Sequence, residues 1–150
     1  MIFDRKRSHV YDSIRIRDQK IKKFLPLTDE DIYILERGTV TVETINRIEE
    51  KQSELKSILN GMGYWNTPTE NKTWNESMIF FAEDHERLVK NSMYLLNAFY
   101  IFDDTPKTLI AEYTYSAWND LEKILYDLGR MADVTRSNYR ECGIAECGGD

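Results

Sequence analysis

The stretch that decides the fold runs from Thr41 to Gly61 and reads Thr-Val-Glu-Thr-Ile-Asn-Arg-Ile-Glu-Glu-Lys-Gln-Ser-Glu-Leu-Lys-Ser-Ile-Leu-Asn-Gly. Glu43 lies in its first turn, where an acid suits the positive end of a helix, and Gly61 lies where a C-cap glycine is expected. Its apolar residues fall on one helical face: Ile45, Ile48, Leu55, Ile58 and Leu59. The stretch therefore predicts an amphipathic helix that packs against a core.

The same pattern occurs in two other parts of the chain. Residues 45–49 (Ile-Asn-Arg-Ile-Glu) match residues 118–122 (Trp-Asn-Asp-Leu-Glu) and, more loosely, residues 85–89 (His-Glu-Arg-Leu-Val). In each copy the central Ile or Leu is followed after seven and after eleven residues by further apolar residues, and these spacings stay on one helical face. We therefore predict one helical unit used three times around a shared core. The uneven intervals between the copies favour a compact bundle over a solenoid.

Two more helices are predicted before the first copy. The first covers residues 5–25 and ends before Pro26, with an apolar stripe of Val10, Ile14, Ile21, Phe24 and Leu25. The second begins after Thr28, a residue whose side chain can cap a helix, and ends near Gly38. The three repeated helices are predicted at 41–61, 83–101 and 115–140, the last capped by Thr114 or Ser116.

The predicted fold is all-α: a single domain over residues 1–150, built as an irregular bundle of about five helices. Two aromatic-containing connections, 61–81 and 103–114, are longer than ordinary bundle loops, so we expect them to pack against the bundle or to bind something. The C-terminal residues 141–150 are predicted to form an irregular tail.

Charge is distributed unevenly along the 150 residues, whose net charge is −6. Residues 1–25 hold eight Lys or Arg and three Asp, a net charge of +5, and the remainder carries −11. The basic segment could bind phosphates or an acidic protein surface, dock on the chain's own acidic body, or form a solvated helix face. We interpret it as a basic N-terminal docking helix. No apolar run is long enough for a membrane span, and the first residues lack the apolar region of a signal peptide, so we expect a protein made in the cytoplasm.

Residue patterns that carry chemistry are scarce. The two histidines, His9 and His85, lack the setting of a nucleophilic triad, and no phosphate-cradling glycine-rich loop occurs. We therefore predict no catalytic, cofactor-binding or metal-binding residues and no enzyme activity. Cys142 and Cys147 are at most half of a zinc site, and they are either a local disulfide or two free thiols.

Three aromatic residues, Tyr64, Trp65 and Trp74, lie in the first long connection. If they are buried they plug one end of the bundle, and if they are exposed they serve as anchors for a protein partner, because Trp and Tyr dominate binding hot spots. Stacking on single-stranded nucleic acid is a third alternative, which the acidic balance opposes. The candidate partner-binding residues are Arg5, Lys6, Arg7, Arg15, Tyr64, Trp65 and Trp74.

The order of short motifs resembles a known family. The matching pieces are Phe3-Asp4-Arg5 with Val10, residues 44–49, Gly63-Tyr64, Thr73-Trp74, Glu86-Arg87 with Asn91, residues 98–100, Asp104-Thr105-Pro106, residues 119–127, residues 139–143 and residues 147–150. Together they resemble the small minor structural proteins encoded among the tail and baseplate genes of phages, prophages and phage-tail-like particles of Gram-positive bacteria. The chain departs from this pattern at Lys6-Arg7, where relatives carry Thr-Gln, and at His9, where they carry an acid.

This resemblance implies a non-enzymatic virion protein, an adaptor at the baseplate or fibre attachment region of a tail. It implies other tail, baseplate or fibre proteins as partners and several symmetric copies per particle, assembled in the cytoplasm of the bacterial host. Alternative functions are a transient chaperone of tail or fibre assembly and, with less support from the residues, a nucleic-acid-binding regulator.

Overall fold

Five helices make up the part of the chain described by this computed structural model, which covers residues 1–68, 70–109 and 112–147, with side chains described up to residue 138. The helices are α1 (Arg7–Gln19), α2 (Asp29–Gly38), α3 (Val42–Gly61), α4 (Ala82–Ala98) and α5 (Tyr115–Cys147). A short 3-10 turn, Ile21–Lys23, follows α1, and these ranges contain no β-strand. The predicted all-α bundle of about five helices is confirmed.

Threonine side chains cap the amino ends of three of the helices. Thr28 accepts a hydrogen bond from the amide of Asp31 at 3.2 Å, and the Asp31 carboxylate accepts one from the Thr28 amide at 2.9 Å, which forms a capping box. Thr41 accepts from the amide of Thr44, and Thr114 accepts from the amide of Ala117, both at 3.2 Å. These caps lie where the sequence predicts helix starts.

Helices α3, α4 and α5 pack on one another and run parallel. Salt bridges in their second turns, Arg47 to Glu122 and Arg87 to Glu49, show that the amino ends of the three helices lie side by side. Each long connection must therefore return along the whole bundle. Residues 62–81 have a maximum reach of about 66 Å at about 3.3 Å per residue, and α3 is about 30 Å long, so the return is possible.

The core consists of the apolar residues that the repeat predicts. Leu55, Leu95 and Leu128 form one set of equivalent positions, and all three are fully buried. The other residues buried in the same cluster include Ile45, Ile48, Leu59, Leu88, Leu96, Trp118, Leu121, Ile124 and Leu125. The threefold repeat therefore corresponds to one shared core between three parallel helices.

The first two helices form a hairpin, which differs from the prediction of one helix over residues 5–25. The helix ends at Gln19, and the chain turns at Phe24, whose backbone adopts the left-handed conformation (φ 54°). The amide of Leu25 donates to the carbonyl of Lys20 at 2.9 Å, which closes the turn. The expected apolar stripe is therefore broken, and Phe24 is 97% exposed.

Helix α5 is longer than predicted. It continues to Cys147, so the expectation of an irregular tail is wrong for residues 141–147, and residues 148–150 lie outside the described ranges. A single glycine inside a helix costs only about 1 kcal/mol relative to alanine, and Gly143 therefore does not end a helix of this length.

The α1–α2 hairpin depends on a close approach at Gly38. A Cβ atom at Gly38 would lie 2.1 Å from the carbonyl oxygen of His9 and 2.6 Å from the Cβ of Ser13. Ser13 is itself buried, and its hydroxyl donates to the carbonyl of Val10 at 2.7 Å. Because both opposing groups belong to α1, only a residue without a side chain allows the two helices this contact.

We predict that Gly38→Ala lowers the free energy of unfolding of the hairpin by about 1–3 kcal/mol, because the added methyl group must push α1 and α2 apart. Hydrogen exchange of the α1 amides measures this change directly. Gly61→Ala is the matched control, because nothing lies within 4 Å of its added methyl group. It should leave stability unchanged or raise it by about 0.5–1 kcal/mol. Equal effects of the two substitutions would contradict the proposed close contact.

Candidate functional site

A half-buried asparagine of α3, Asn46, holds the first long connection against the bundle. The amide nitrogen of Asn46 donates to the carbonyl of Trp74 at 2.9 Å, and its amide oxygen accepts from the Trp74 amide at 2.8 Å. Both polar backbone groups of one extended residue are thus satisfied by one side chain. The Trp74 ring is buried and packs against Phe80 at a centroid distance of 5.4 Å.

One helical turn later, the buried carboxylate of Glu49 binds the same connection. It accepts hydrogen bonds from the indole of Trp74 at 3.0 Å, the side chain of Asn71 at 2.6 Å and the amide of Lys72 at 3.2 Å. The guanidinium of Arg87 in α4 supplies the compensating positive charge through two hydrogen bonds. Burial alone would raise the pKa of Glu49, but the hydrogen bonds from Arg87, Trp74 and Asn71 and the positive charge of Arg87 outweigh it and lower the pKa below its usual value.

Helix α5 repeats this arrangement with the N-terminal segment of the chain. The side chain of Asn119 exchanges two hydrogen bonds of 3.0 Å with the backbone amide and carbonyl of Arg5. The fully buried carboxylate of Glu122 accepts from the amide of Ile2 at 2.7 Å and from the guanidinium of Arg5. Arg47 of α3 adds hydrogen bonds of 2.9 and 3.1 Å to the same carboxylate.

The two arrangements are copies of one device, which we call the Asn-x-x-Glu clamp: Asn46 with Glu49, and Asn119 with Glu122. In each clamp the Asn side chain pairs with the backbone of one residue, Trp74 or Arg5. The Glu side chain binds residues that lie just before that residue in the sequence, and it also binds an Arg from a neighbouring helix. The sequence repeat contains both Asn–Glu pairs, but its apolar positions alone led to the prediction of a shared core. The signal that could have identified the clamps is two polar residues at the same places in both copies.

The third copy of the repeat lacks the clamp. Glu86 and Val89 of α4 occupy the positions of the Asn and the Glu. The segment before α5 nevertheless packs on the same part of α4. The ring of Tyr113 in this segment stacks on His85, with the ring centroids 4.2 Å apart. Each of the three helices therefore receives one extended segment.

The second long connection is also fastened by a buried carboxylate. Asp127 of α5 accepts a hydrogen bond from the hydroxyl of Thr105 at 2.7 Å and one from Lys123 at 2.8 Å. Lys123 reaches Asp104 of the same connection at 3.2 Å. The expectation that the long connections pack against the bundle is therefore met by specific polar contacts.

The hairpin of α1 and α2 is an insertion in a repeated arrangement in which a clamped segment is followed by a core helix. Residues 75–81 separate the clamped Trp74 from α4, whereas residues 6–41 separate the clamped Arg5 from α3. The hairpin is tied to the clamped segment through Asp4, which accepts from Arg37 at 2.9 Å and from the Tyr33 hydroxyl at 3.4 Å. The three-helix core is thus complete without the hairpin.

The end of the hairpin, which we call the hairpin tip, comprises residues 20–27. Its large apolar side chains are unusually exposed for a folded protein: Ile21, Phe24, Leu25 and Leu27. Lys20 pairs with Asp31, and Lys22 pairs with Asp18 at 2.8 Å, while Lys23 makes no salt bridge with the described residues. The tip therefore combines an apolar surface with positive charge.

The predicted partner-binding residues divide into two groups. Arg5 and Trp74 are each 5% exposed and are held by the two clamps, so they act inside the molecule. Tyr64 is half-buried and packs edge-on against Phe99 at 4.7 Å.

The other predicted residues are accessible. Lys6, Arg7 and Arg15 are exposed on or beside α1, and Arg15 pairs with Asp12 at 3.0 Å. Trp65 follows the carboxyl end of α3 and is 80% exposed. The apolar residues of the hairpin tip were not among the predicted site residues, because their spacing predicted a buried helical stripe.

The remaining predictions concern the two cysteines, a metal ion and a membrane span. The side chains of Cys142 and Cys147, named as a possible disulfide, lie outside the described residues. Among the described side chains, no three His, Cys, Asp or Glu residues form a group that could hold a metal ion. No helix within the described ranges has the length and apolarity needed to cross a membrane.

Comparison of the chain with protein-family models, with curated proteins and with solved structures finds no significant match.

We predict that Arg5→Ala lowers the free energy of unfolding by about 3 kcal/mol, because it removes one partner of a buried ion pair. Urea denaturation measures the change. Arg7→Ala is the control: this neighbouring arginine is exposed, bonds only the exposed Tyr11 hydroxyl, and should cost less than about 0.5 kcal/mol. A loss of similar size in both variants would argue against a buried clamp at Glu122.

We also predict a defined pH dependence from Glu49. Its pKa is lowered from 4.5 in the folded state, so its contribution to stability is complete above that value and is lost as the pH falls through the folded-state pKa. Each such group can change the free energy of unfolding by at most about 1.4 kcal/mol per pH unit. In urea titrations between pH 6 and 3, about the range where carboxylates titrate, Glu49→Gln should therefore lose stability less steeply than the original protein. Glu50→Gln is the control, because Glu50 is an exposed neighbour outside the clamp, and it should change the free energy of unfolding at about pH 6 by less than about 0.5 kcal/mol.

Proposed function

We propose that this protein is a non-enzymatic structural component of a phage tail or tail-like particle, an adaptor at the baseplate or fibre attachment region. The motif resemblance described above supports this assignment. The protein would be assembled into the virion in the cytoplasm of the bacterial host, in several symmetric copies, with other tail, baseplate or fibre proteins as partners.

The observation that carries the proposal is the inserted hairpin with its exposed apolar tip. A three-helix core that closes without residues 6–41 does not need the hairpin for its own packing. The tip nevertheless exposes Phe24 almost completely, on a backbone conformation that a bulky residue rarely adopts. Such a feature fits a contact made with another subunit, where aromatic side chains supply much of the binding energy.

The buried titratable groups favour a structural role over a catalytic one. Glu49, Glu122 and Asp127 are all buried, and each accepts hydrogen bonds from a connecting segment and from a basic side chain. Their hydrogen-bonding capacity is thus used to hold the fold. A body fastened in this way at several points suits a rigid adaptor between subunits.

The ion pairs of the first 25 residues argue against the nucleic-acid alternative. A regulator that binds phosphates needs basic side chains that can neutralise them. Five of the eight Lys and Arg side chains in this segment already pair with carboxylates of the same chain: Arg5, Arg15, Arg17, Lys20 and Lys22.

We predict that the protein co-purifies with intact particles in a fixed ratio to the major tail protein. Quantitative mass spectrometry across a density gradient of released particles measures this ratio, and a host enzyme of the lysate serves as the contamination control. Presence only in the lysate cytosol would refute the adaptor proposal. Presence in tail assembly intermediates combined with absence from finished particles would favour the chaperone alternative.

A further inference from the structure

A groove between α2 and α3 lies beside the hairpin tip. It has a volume of about 390 Å³, and its apolar wall is formed by Leu27, Ile32 and Leu35. Leu27 and Ile32 are themselves exposed, so this wall faces solvent. The groove is large enough for an aromatic side chain, and the described part of the chain leaves it open.

The rim of the groove is acidic. Glu36 and Glu43 lie on opposite helices at its edge. Glu36 approaches a basic group, Arg37, only at 4.0 Å, and Glu43 makes no salt bridge with the described residues. The one basic residue that lines the groove, Arg47, is already paired with the buried Glu122. The groove therefore presents negative charge around an apolar wall.

The hairpin tip has the complementary chemistry. Phe24 projects an almost fully exposed ring, and Lys22 and Lys23 directly precede it. Phe24 is not among the residues that line the groove of its own chain. An apolar ring beside positive charge matches an apolar wall rimmed by negative charge.

From this complementarity we propose that the hairpin tip of one copy docks in the α2–α3 groove of a second copy of the same chain. Phe24 packs against Leu27, Ile32 and Leu35 of the second copy. Lys23, which makes no salt bridge with the described residues, lies near the Glu36 and Glu43 rim, and Lys22, which pairs with Asp18, lies beside it. This inference rests on the proposed function, since it names the neighbour that covers the tip in the particle.

The contact joins two different surfaces, so it propagates. Each copy that uses its groove covers Leu27 of its own tip but keeps Phe24 free, and each copy that uses its tip still has a free groove. Head-to-tail contacts of this kind form a closed ring when the rotation between copies closes, and a filament when it does not. Self-association of the purified chain is therefore expected to depend on concentration.

Sedimentation velocity of the purified full-length chain over a concentration series tests this contact. Phe24→Asn removes the ring but keeps a residue that tolerates the left-handed backbone, so it leaves the fold intact. It should weaken self-association by roughly tenfold or more, as expected for an aromatic anchor. Trp65→Asn, which removes another exposed aromatic ring outside the tip, should leave self-association unchanged.

Charge exchange tests the direction of the contact. Lys23→Glu on the tip and Glu43→Lys on the rim should each weaken self-association, and the double variant Lys23→Glu, Glu43→Lys should restore it. Neither side chain forms a salt bridge with the described residues, but Glu43→Lys removes an acid from the first turn of α3. Circular dichroism and urea denaturation therefore check that each variant, including the double variant, is folded.

Three results would overturn the inference: a chain that stays monomeric at every concentration, a Phe24→Asn variant that associates normally, or a double charge variant that is not restored. Each would leave the proposed function intact if the protein is still found in particles at a fixed ratio. Conversely, normal tip-dependent association of a protein absent from particles would refute the proposed function alone.

Discussion

Two buried carboxylates, Glu49 and Glu122, connect parts of the chain that are far apart in sequence. Each is satisfied by backbone or side-chain donors of an extended segment and by an arginine from a neighbouring helix. Buried ion pairs of this kind add little net stability compared with apolar residues of similar volume, but breaking one leaves a buried charge uncompensated. The two buried ion pairs therefore select one arrangement of the chain, because all of their hydrogen bonds form in only one alignment of the bound segment along the helix.

The parallel direction of the three core helices depends on these clamps. Parallel helices need connections that run back along the bundle, and such connections carry backbone groups that must find partners. The side-chain amides of Asn46 and Asn119 are these partners for the backbone of Trp74 and of Arg5. Asp127 binds Thr105 and so holds the second long connection. The inserted hairpin is then free to carry an exposed surface without weakening the core.

The sequence predicted the parts of this structure that follow from apolar periodicity. The number of helices, the caps at Thr28 and Thr114 and the repeated core positions such as Leu55, Leu95 and Leu128 agree with the prediction. The sequence did not predict the clamps, because a buried Glu or a half-buried Asn looks the same as a solvated one in a helical pattern. It also mispredicted the first helix, since Ile21 and Phe24 continue an apolar spacing that the turn at residue 24 interrupts.

The clamp on α5 also determines when the chain can finish folding during synthesis. Ile2 and Arg5 are made 120 and 114 residues before their respective partners, Glu122 and Asn119. The α3 clamp can close earlier, because Asn46 binds Trp74 and Glu49 binds Arg87. Contacts between residues far apart in sequence form late and slow the overall reaction. The segment around Arg5 therefore stays unpaired until α5 has been made, and its docking on α5 closes the second of the two clamps.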